Sequence, residues 1–139
     1  MKGLSITGLV LGVAGPLVLL APFVPLVFGD DDYWQVGWVL FFVTVPVGLA
    51  LEITGSVLII IASGLALRRR YRPKALPIVA ICLTGAGLLV QLGAGYGAIS
   101  SGQGWTWVAF AVGMALLLTG VIMGAVVGLR ARHLRWRMR

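Results

Sequence analysis

Four stretches of this chain, 4–28, 36–67, 75–99 and 105–129, run almost free of charge over lengths suited to a membrane. A hydrocarbon core about 30 Å thick takes about 20 apolar residues of helix, and each stretch supplies them. Lipid offers no partner to a backbone N–H or C=O, so the chain must satisfy these groups itself, as helices or as a closed barrel. No stretch alternates apolar and polar residues over the roughly ten positions that mark a barrel strand. The sequence therefore predicts an all-α fold, a single domain (1–139) built as a bundle of four transmembrane helices. Charged residues make up 11% of the chain, against about 25% in soluble domains. A water-soluble core of this length could not hide so much apolar surface.

The charges that remain are sorted. All 11 Lys and Arg fall at Lys2, at Arg68, Arg69, Arg70, Arg72 and Lys74, or at Arg130, Arg132, Arg135, Arg137 and Arg139. Asp30, Asp31 and Asp32 fall in the turn between the first two stretches. The positive-inside rule then puts both termini in the cytoplasm, with Tyr33, Trp34, Trp38, Trp105 and Trp107 at the opposite interface as an aromatic belt. The net charge of +7 abuts apolar segments, so it points to anionic headgroups on the cytoplasmic side. It does not point to nucleic acid, because no recognition fold or interleaved basic and aromatic motif accompanies it. The basic tail, 130–139, has two readings. It is a topology signal whose arginines snorkel into headgroups, or it docks on anionic lipid or a partner with the help of Trp136. The absence of Asn and the preference for Arg over Lys fit a GC-rich genome, which suggests a bacterial inner membrane.

The first stretch is longer than the apolar region of a secretory signal and lacks a small-residue cleavage site before Asp30, so it reads as a retained helix. Pro16, Pro22 and Pro25 interrupt it, which predicts a kink near Pro16 and fraying after Ala21. The second stretch must tilt, bend near Pro46 or begin above the membrane. A faint internal repeat sets Ala50, Leu51, Thr54 and Gly55 against Ala115, Leu116, Thr119 and Gly120. It also sets Trp38-Val39-Leu40-Phe41 against Trp107-Val108-Ala109-Phe110, and Thr7-Gly8 against Thr84-Gly85. Leu117 takes the place of Glu52 in the second half.

Glycines four apart stack on one helix face and let backbones approach closely. Gly8 and Gly12 form such a pair, and Gly120, Gly124 and Gly128 form a stripe at similar depth. They predict packing of the first helix on the fourth, or association of the fourth helix with another chain. Gly93 and Gly97 form a further pair.

Glu52 alone breaks the charge pattern, in the middle of an apolar stretch. A charged carboxylate at mid-bilayer costs roughly 2.5–3.5 kcal/mol on insertion scales, and no Lys, Arg or His lies in a membrane stretch to offset it. The neutral acid is favoured unless water or a cation reaches the site. Gly48, Gly55, Ser56 and Ser63 share the helix face of Glu52, and Ala80, Thr84, Gly87, Gln91 and Gly95 share a face of the third helix. Counted from the interfaces, Gln91 lies within about one turn of Glu52 in depth. The sequence thus predicts a Glu52–Gln91 hydrogen bond, within one chain or between two copies. One reading makes Glu52, with Gln91, Ser56 and Thr84, a proton or cation site. The other makes it a hydrogen-bonding glue between helices. The segment Glu52-Ile53-Thr54-Gly55-Ser56-Val57-Leu58 resembles the glutamate-centred motif of small multidrug resistance transporters. In those four-helix proteins one membrane glutamate exchanges protons for cationic drugs. The resemblance covers these seven residues, and the glutamate here stands in the second helix where the family has it in the first.

Catalytic and cofactor chemistry lack parts. One His (His133), one Cys (Cys82) and four carboxylates form no nucleophile–base set, phosphate loop or metal-ligand cluster. The sequence therefore predicts neither an enzyme nor a cofactor or metal site. Two functional expectations remain. The first is an accessory or assembly subunit that acts through lateral helix contacts with a membrane protein partner or with its own copies. The second is a proton-coupled carrier or ion pathway, oligomeric, with Glu52 as the protonatable site.

Overall fold

A computed structural model of the chain describes residues 2–22, 24, 29, 33–69, 74–101 and 104–136. These residues build four long helices: α1 (Lys2–Leu20), α2 (Tyr33–Arg68), α3 (Ala75–Ser101) and α4 (Gly104–Trp136). Each contains a span long and apolar enough to cross a membrane, namely Gly3–Leu20, Gln35–Arg68, Ala75–Gly97 and Gly104–Arg130. The acidic turn Asp30–Asp32, Arg70, Arg72, Arg137 and Arg139 lie outside the described residues, as do the side chains of Lys2, Tyr33, Trp34, Arg132, Arg135 and Trp136.

The helix limits differ from the apolar stretches in two places. α1 ends at Leu20 and does not run on to residue 28. The Ala21 N–H closes the last turn on Leu17 O at 3.1 Å and Val18 O at 3.3 Å, and Pro22 brings no N–H to extend it. At the other end of the chain, α4 carries past residue 129 to Trp136, so the basic segment extends a membrane helix. α2, with 36 residues, would be about 54 Å long if straight.

The four helices pack most extensively as two antiparallel hairpins, α1 with α2 and α3 with α4. Small residues set the approach in both. In the first hairpin, a Cβ placed on Gly8 would meet Ile59 Cγ1 at 3.0 Å, one on Gly55 would fall on the backbone of Gly12, one on Gly15 would meet Glu52 Cβ at 2.7 Å, and one on Gly48 would meet Leu19 Cγ at 2.7 Å. These contacts step one turn at a time along an unbroken register. The second hairpin repeats the device, with Gly120 against Thr84, Gly87 against Leu117 and Gly113 against Gln91. Without a hydrophobic drive between helices in lipid, such close approach gains its stability from dispersion and Cα–H···O contacts.

Between the hairpins runs a seam. Ile59, Leu117, Val121 and Ala125 are fully or nearly buried there, with Leu9 and Leu88 packed against them. A smaller cluster of Ala66 and Val127, flanked by Leu76, lies near the basic end. Large apolar side chains such as Phe42, Val39, Leu89 and Val108 point outward, where a bilayer would cover them. Trp38 stacks edge-on against Phe41 and Trp107 against Phe110, on the ends of α2 and α4 away from the arginines.

Candidate functional site

The polar residues predicted to share a face do so, and both faces turn inward. Gly48, Glu52, Gly55, Ser56 and Ser63 of α2 are buried, as are Ala80, Thr84, Gly87 and Gln91 of α3. Glu52 is 0% exposed and Gln91 1%. The two meet across the seam, where Gln91 Nε2 donates to Glu52 Oε2 at 3.0 Å. Both residues belong to one chain, so the pair forms without a second copy. Gly15 of α1 and Gly113 of α4 provide the room, since each lies directly on the backbone of one member of the pair.

Glu52 Oε1 and Gln91 Oε1 have no hydrogen-bond partner, and neither do the buried hydroxyls of Ser5, Ser56, Ser63 and Thr84. The state of the acid–amide pair follows from donor counting. An ionised carboxylate accepts only, and the amide oxygen accepts only. Two bare acceptors have nothing to exchange. A proton on Glu52 Oε1 turns that atom into a donor and makes the Gln91 oxygen its complement. A small cation bridging the two oxygens would satisfy the same count. Unpaired polar groups in a low-dielectric interior are costly, and one donor or cation between these two oxygens would close the count.

Among the described residues no other ionisable group attends Glu52. Apart from Arg68 and Arg130 at the span ends, Cys82 and Tyr96 are the other titratable side chains of the described spans, and both face outward. Among the described residues no three His, Cys, Asp or Glu gather in a way that would hold a metal ion.

The glycine stripes are used inside the bundle. Gly8 receives Ile59 and Gly12 receives Val121, while Gly120 receives Thr84, Gly124 receives Ile59 and Ser63, and Gly128 receives Ser5. α1 and α4 therefore meet at Gly12 and Gly128, but each glycine accommodates a side chain. These glycines therefore take part in packing within the chain. Gly93 has open space around it, and a Cβ on Gly97 would meet Thr106 Cγ2 at 3.3 Å.

The basic residues whose side chains the structure describes, Arg68, Arg69, Lys74 and Arg130, are all exposed at one end of the bundle. The end of α4 lies beside the start of α1, with Gly128 against Ser5. Sequence reasoning missed Gly15, Gly113 and Ser5. The first was legible: Gly8, Gly12, Gly15 and Leu19 continue one face at spacings of three and four. Gly113 continues the Gly120 face two turns earlier. Ser5 carried no such signal.

No protein-family model, characterised protein or solved structure matches the chain.

Proposed function

We propose that this chain is a multi-pass membrane carrier that couples transport to the binding and release of a proton at Glu52. The observation that carries the reading is the incomplete acid–amide pair, in which one hydrogen bond is made and two oxygens are left without partners. One proton between the two oxygens would complete the pair, and a group that gains and loses a proton is what coupling requires. Intramembrane carboxyls facing a bundle interior are characteristic of proton relays and ion sites. The location supports the reading too. The pair sits at the seam of two hairpins, where rocking one against the other changes access to a fixed site. The glutamate-centred heptapeptide noted in the sequence agrees with it.

The positive-inside bias orients the basic end toward the cytoplasm, in a bacterial plasma membrane. Arg68, Arg69, Lys74 and Arg130 then meet anionic headgroups. The test is proton movement in proteoliposomes that carry an internal pH-sensitive dye. Glu52→Gln keeps the shape and the hydrogen-bonding capacity of the side chain but cannot take up a proton. We expect it to abolish proton movement while helix content and detergent elution stay as in the parent. Undiminished movement in the variant, or none in the parent, removes the reading.

A further inference from the structure

Hydroxyl groups in this bundle behave in two ways. On the outer faces, Thr54 donates to Ala50 O at 2.7 Å and Thr119 to Ala115 O at 2.8 Å, and Thr44 does the same to Leu40 O at 2.7 Å. Each is satisfied by the carbonyl four residues back, the usual solution in lipid. In the core, Ser5, Ser56, Ser63 and Thr84 are fully or almost fully buried, and none of their hydroxyls has a partner. The same helices solve the problem in one place and leave it open in another.

The open positions are not scattered. Ser56 and Ser63 follow Glu52 on a helix that runs toward Arg68, and Thr84 precedes Gln91 on a helix that starts at the same end. Ser5 lies beside Gly128, near that end as well. All the unpartnered core hydroxyls therefore lie between the Glu52–Gln91 pair and the basic end. Thr106, the buried polar side chain on the far side, does not belong to this set.

Their depths form a ladder. From the level of the pair, Ser56 lies about 6 Å, Thr84 about 10 Å and Ser63 about 16 Å toward the basic end, at 1.5 Å per helical residue. The successive steps in depth, about 4–6 Å, exceed one O–H···O bond of about 2.7–2.8 Å, so a relay along them needs water between the hydroxyls. α4 places Gly120 at Thr84 and Gly124 at Ser63, so these hydroxyls face bare backbone. Ile59, packed against Gly8 and Gly124, is the one large side chain on the Glu52 face between Ser63 and Ser56. It packs there with Leu117, Val121 and Ala125. A metal cation needs about six oxygen ligands, and each rung offers one. A proton needs only a donor and an acceptor at each step.

Taking Glu52 as the exchanging group proposed above, we propose that Ser63, Thr84 and Ser56 form a one-sided proton relay, completed by water, that joins Glu52 to the basic end of the bundle and not to the opposite end. A proton accepted from hydronium at Ser63 passes along the hydroxyls as each oxygen takes one proton and releases another. The last O–H bond forms at Glu52 Oε1, each hydroxyl and water passed has made one O–H bond and broken one, and the hydronium that gave the first proton is left as water at the basic end.

The test follows the carboxylic C=O infrared band of Glu52, identified by its loss in Glu52→Gln. The protein is held in uniformly oriented vesicles, and the basic face is the one where trypsin removes the arginine-rich tail. An acid pulse on the basic face should protonate Glu52 at least about tenfold faster than one on the other face, and Ser63→Ala with Thr84→Val should slow the basic-face response about tenfold. Thr84→Ser, which keeps the hydroxyl, should retain the parent rate, and exchanging sodium for potassium should change nothing. Equal response from both faces, indifference to loss of the hydroxyls, or a sodium-dependent rate overturns the relay while leaving Glu52 as the exchanging site. A Glu52 band that never titrates overturns the proposed function itself.

Discussion

At the scale of single residues, satisfaction of polar groups separates structure from function. Thr54 is outward-facing and satisfied by its own helix. Thr54→Val should therefore shift unfolding stability in bilayers by no more than about 0.5 kcal/mol, and leave proton movement unchanged. Thr84 presents the opposite case, because its hydroxyl is buried without a partner. Replacing an unsatisfied hydroxyl by a methyl of the same shape removes a cost. Thr84→Val should thus hold stability level or raise it by about 1 kcal/mol, read by reversible unfolding in mild denaturing detergent. A loss of more than that amount would mean the hydroxyl has a structural bond after all. Gln91→Leu leaves Glu52 with no donor, and should cost about 1–2 kcal/mol, the upper range for a hydrogen bond between membrane helices. The pairing of Glu52 with Gln91 was legible in the sequence, because depth follows from counting residues and face follows from helical spacing. The partnerless state of the surrounding hydroxyls was not. Whether a Ser bonds back to its own helix depends on what stands opposite, and that is a property of the packed bundle.

At the scale of elements, the apolar stretches located all four helices and misplaced two of their ends. Hydropathy registers side chains, whereas α1 stops for a backbone reason, the missing N–H of Pro22. α4 continues for the complementary reason, since Arg, Leu and His do not break a helix whose turns are already formed. The glycine spacing announced close packing but not the partner, because a glycine stripe fits several neighbours equally well. The packed helices turn this ambiguity into a forecast. Gly55 lies against the backbone of Gly12, so Gly55→Val would force α1 and α2 apart and should cost at least about 2 kcal/mol, as overpacking does. A methyl group added at Gly64 or Gly85 would meet nothing within 4 Å. Gly64→Ala and Gly85→Ala should be neutral or stabilise by about 0.5–1 kcal/mol through helix propensity. Equal sensitivity at all three positions would show that the hairpin register is wrong.

At the scale of the whole molecule, two hairpins share one plan. Thr54 and Thr119 bond to Ala50 and Ala115 in the same way, and Trp38–Phe41 and Trp107–Phe110 form the same edge-on corner. The repeat glimpsed in the even helices is thus matched by packing. In the odd helices the packing register pairs Gly12 with Thr84 and Gly15 with Gly87, a different alignment from the Thr7-Gly8 and Thr84-Gly85 match. If each hairpin is a unit, residues 1–71 and 72–139 produced as separate chains in one membrane should assemble and co-purify. Gln91→Leu should reduce their recovery together, since the Glu52–Gln91 bond crosses the seam. Halves that never associate would show that the connecting loop is needed for assembly. The shared plan also exposes where the halves diverge. The counterpart of Glu52 is Leu117, and the position that Gln91 holds against Gly113 is held by Leu19 against Gly48. A symmetric pair of first hairpins would bury two carboxyls with leucines at the amide positions, and a pair of second hairpins would have no carboxyl at all. Joining unlike halves in one polypeptide guarantees that every folded molecule carries one acid and one amide facing each other across the seam, something that random pairing of hairpins could not ensure.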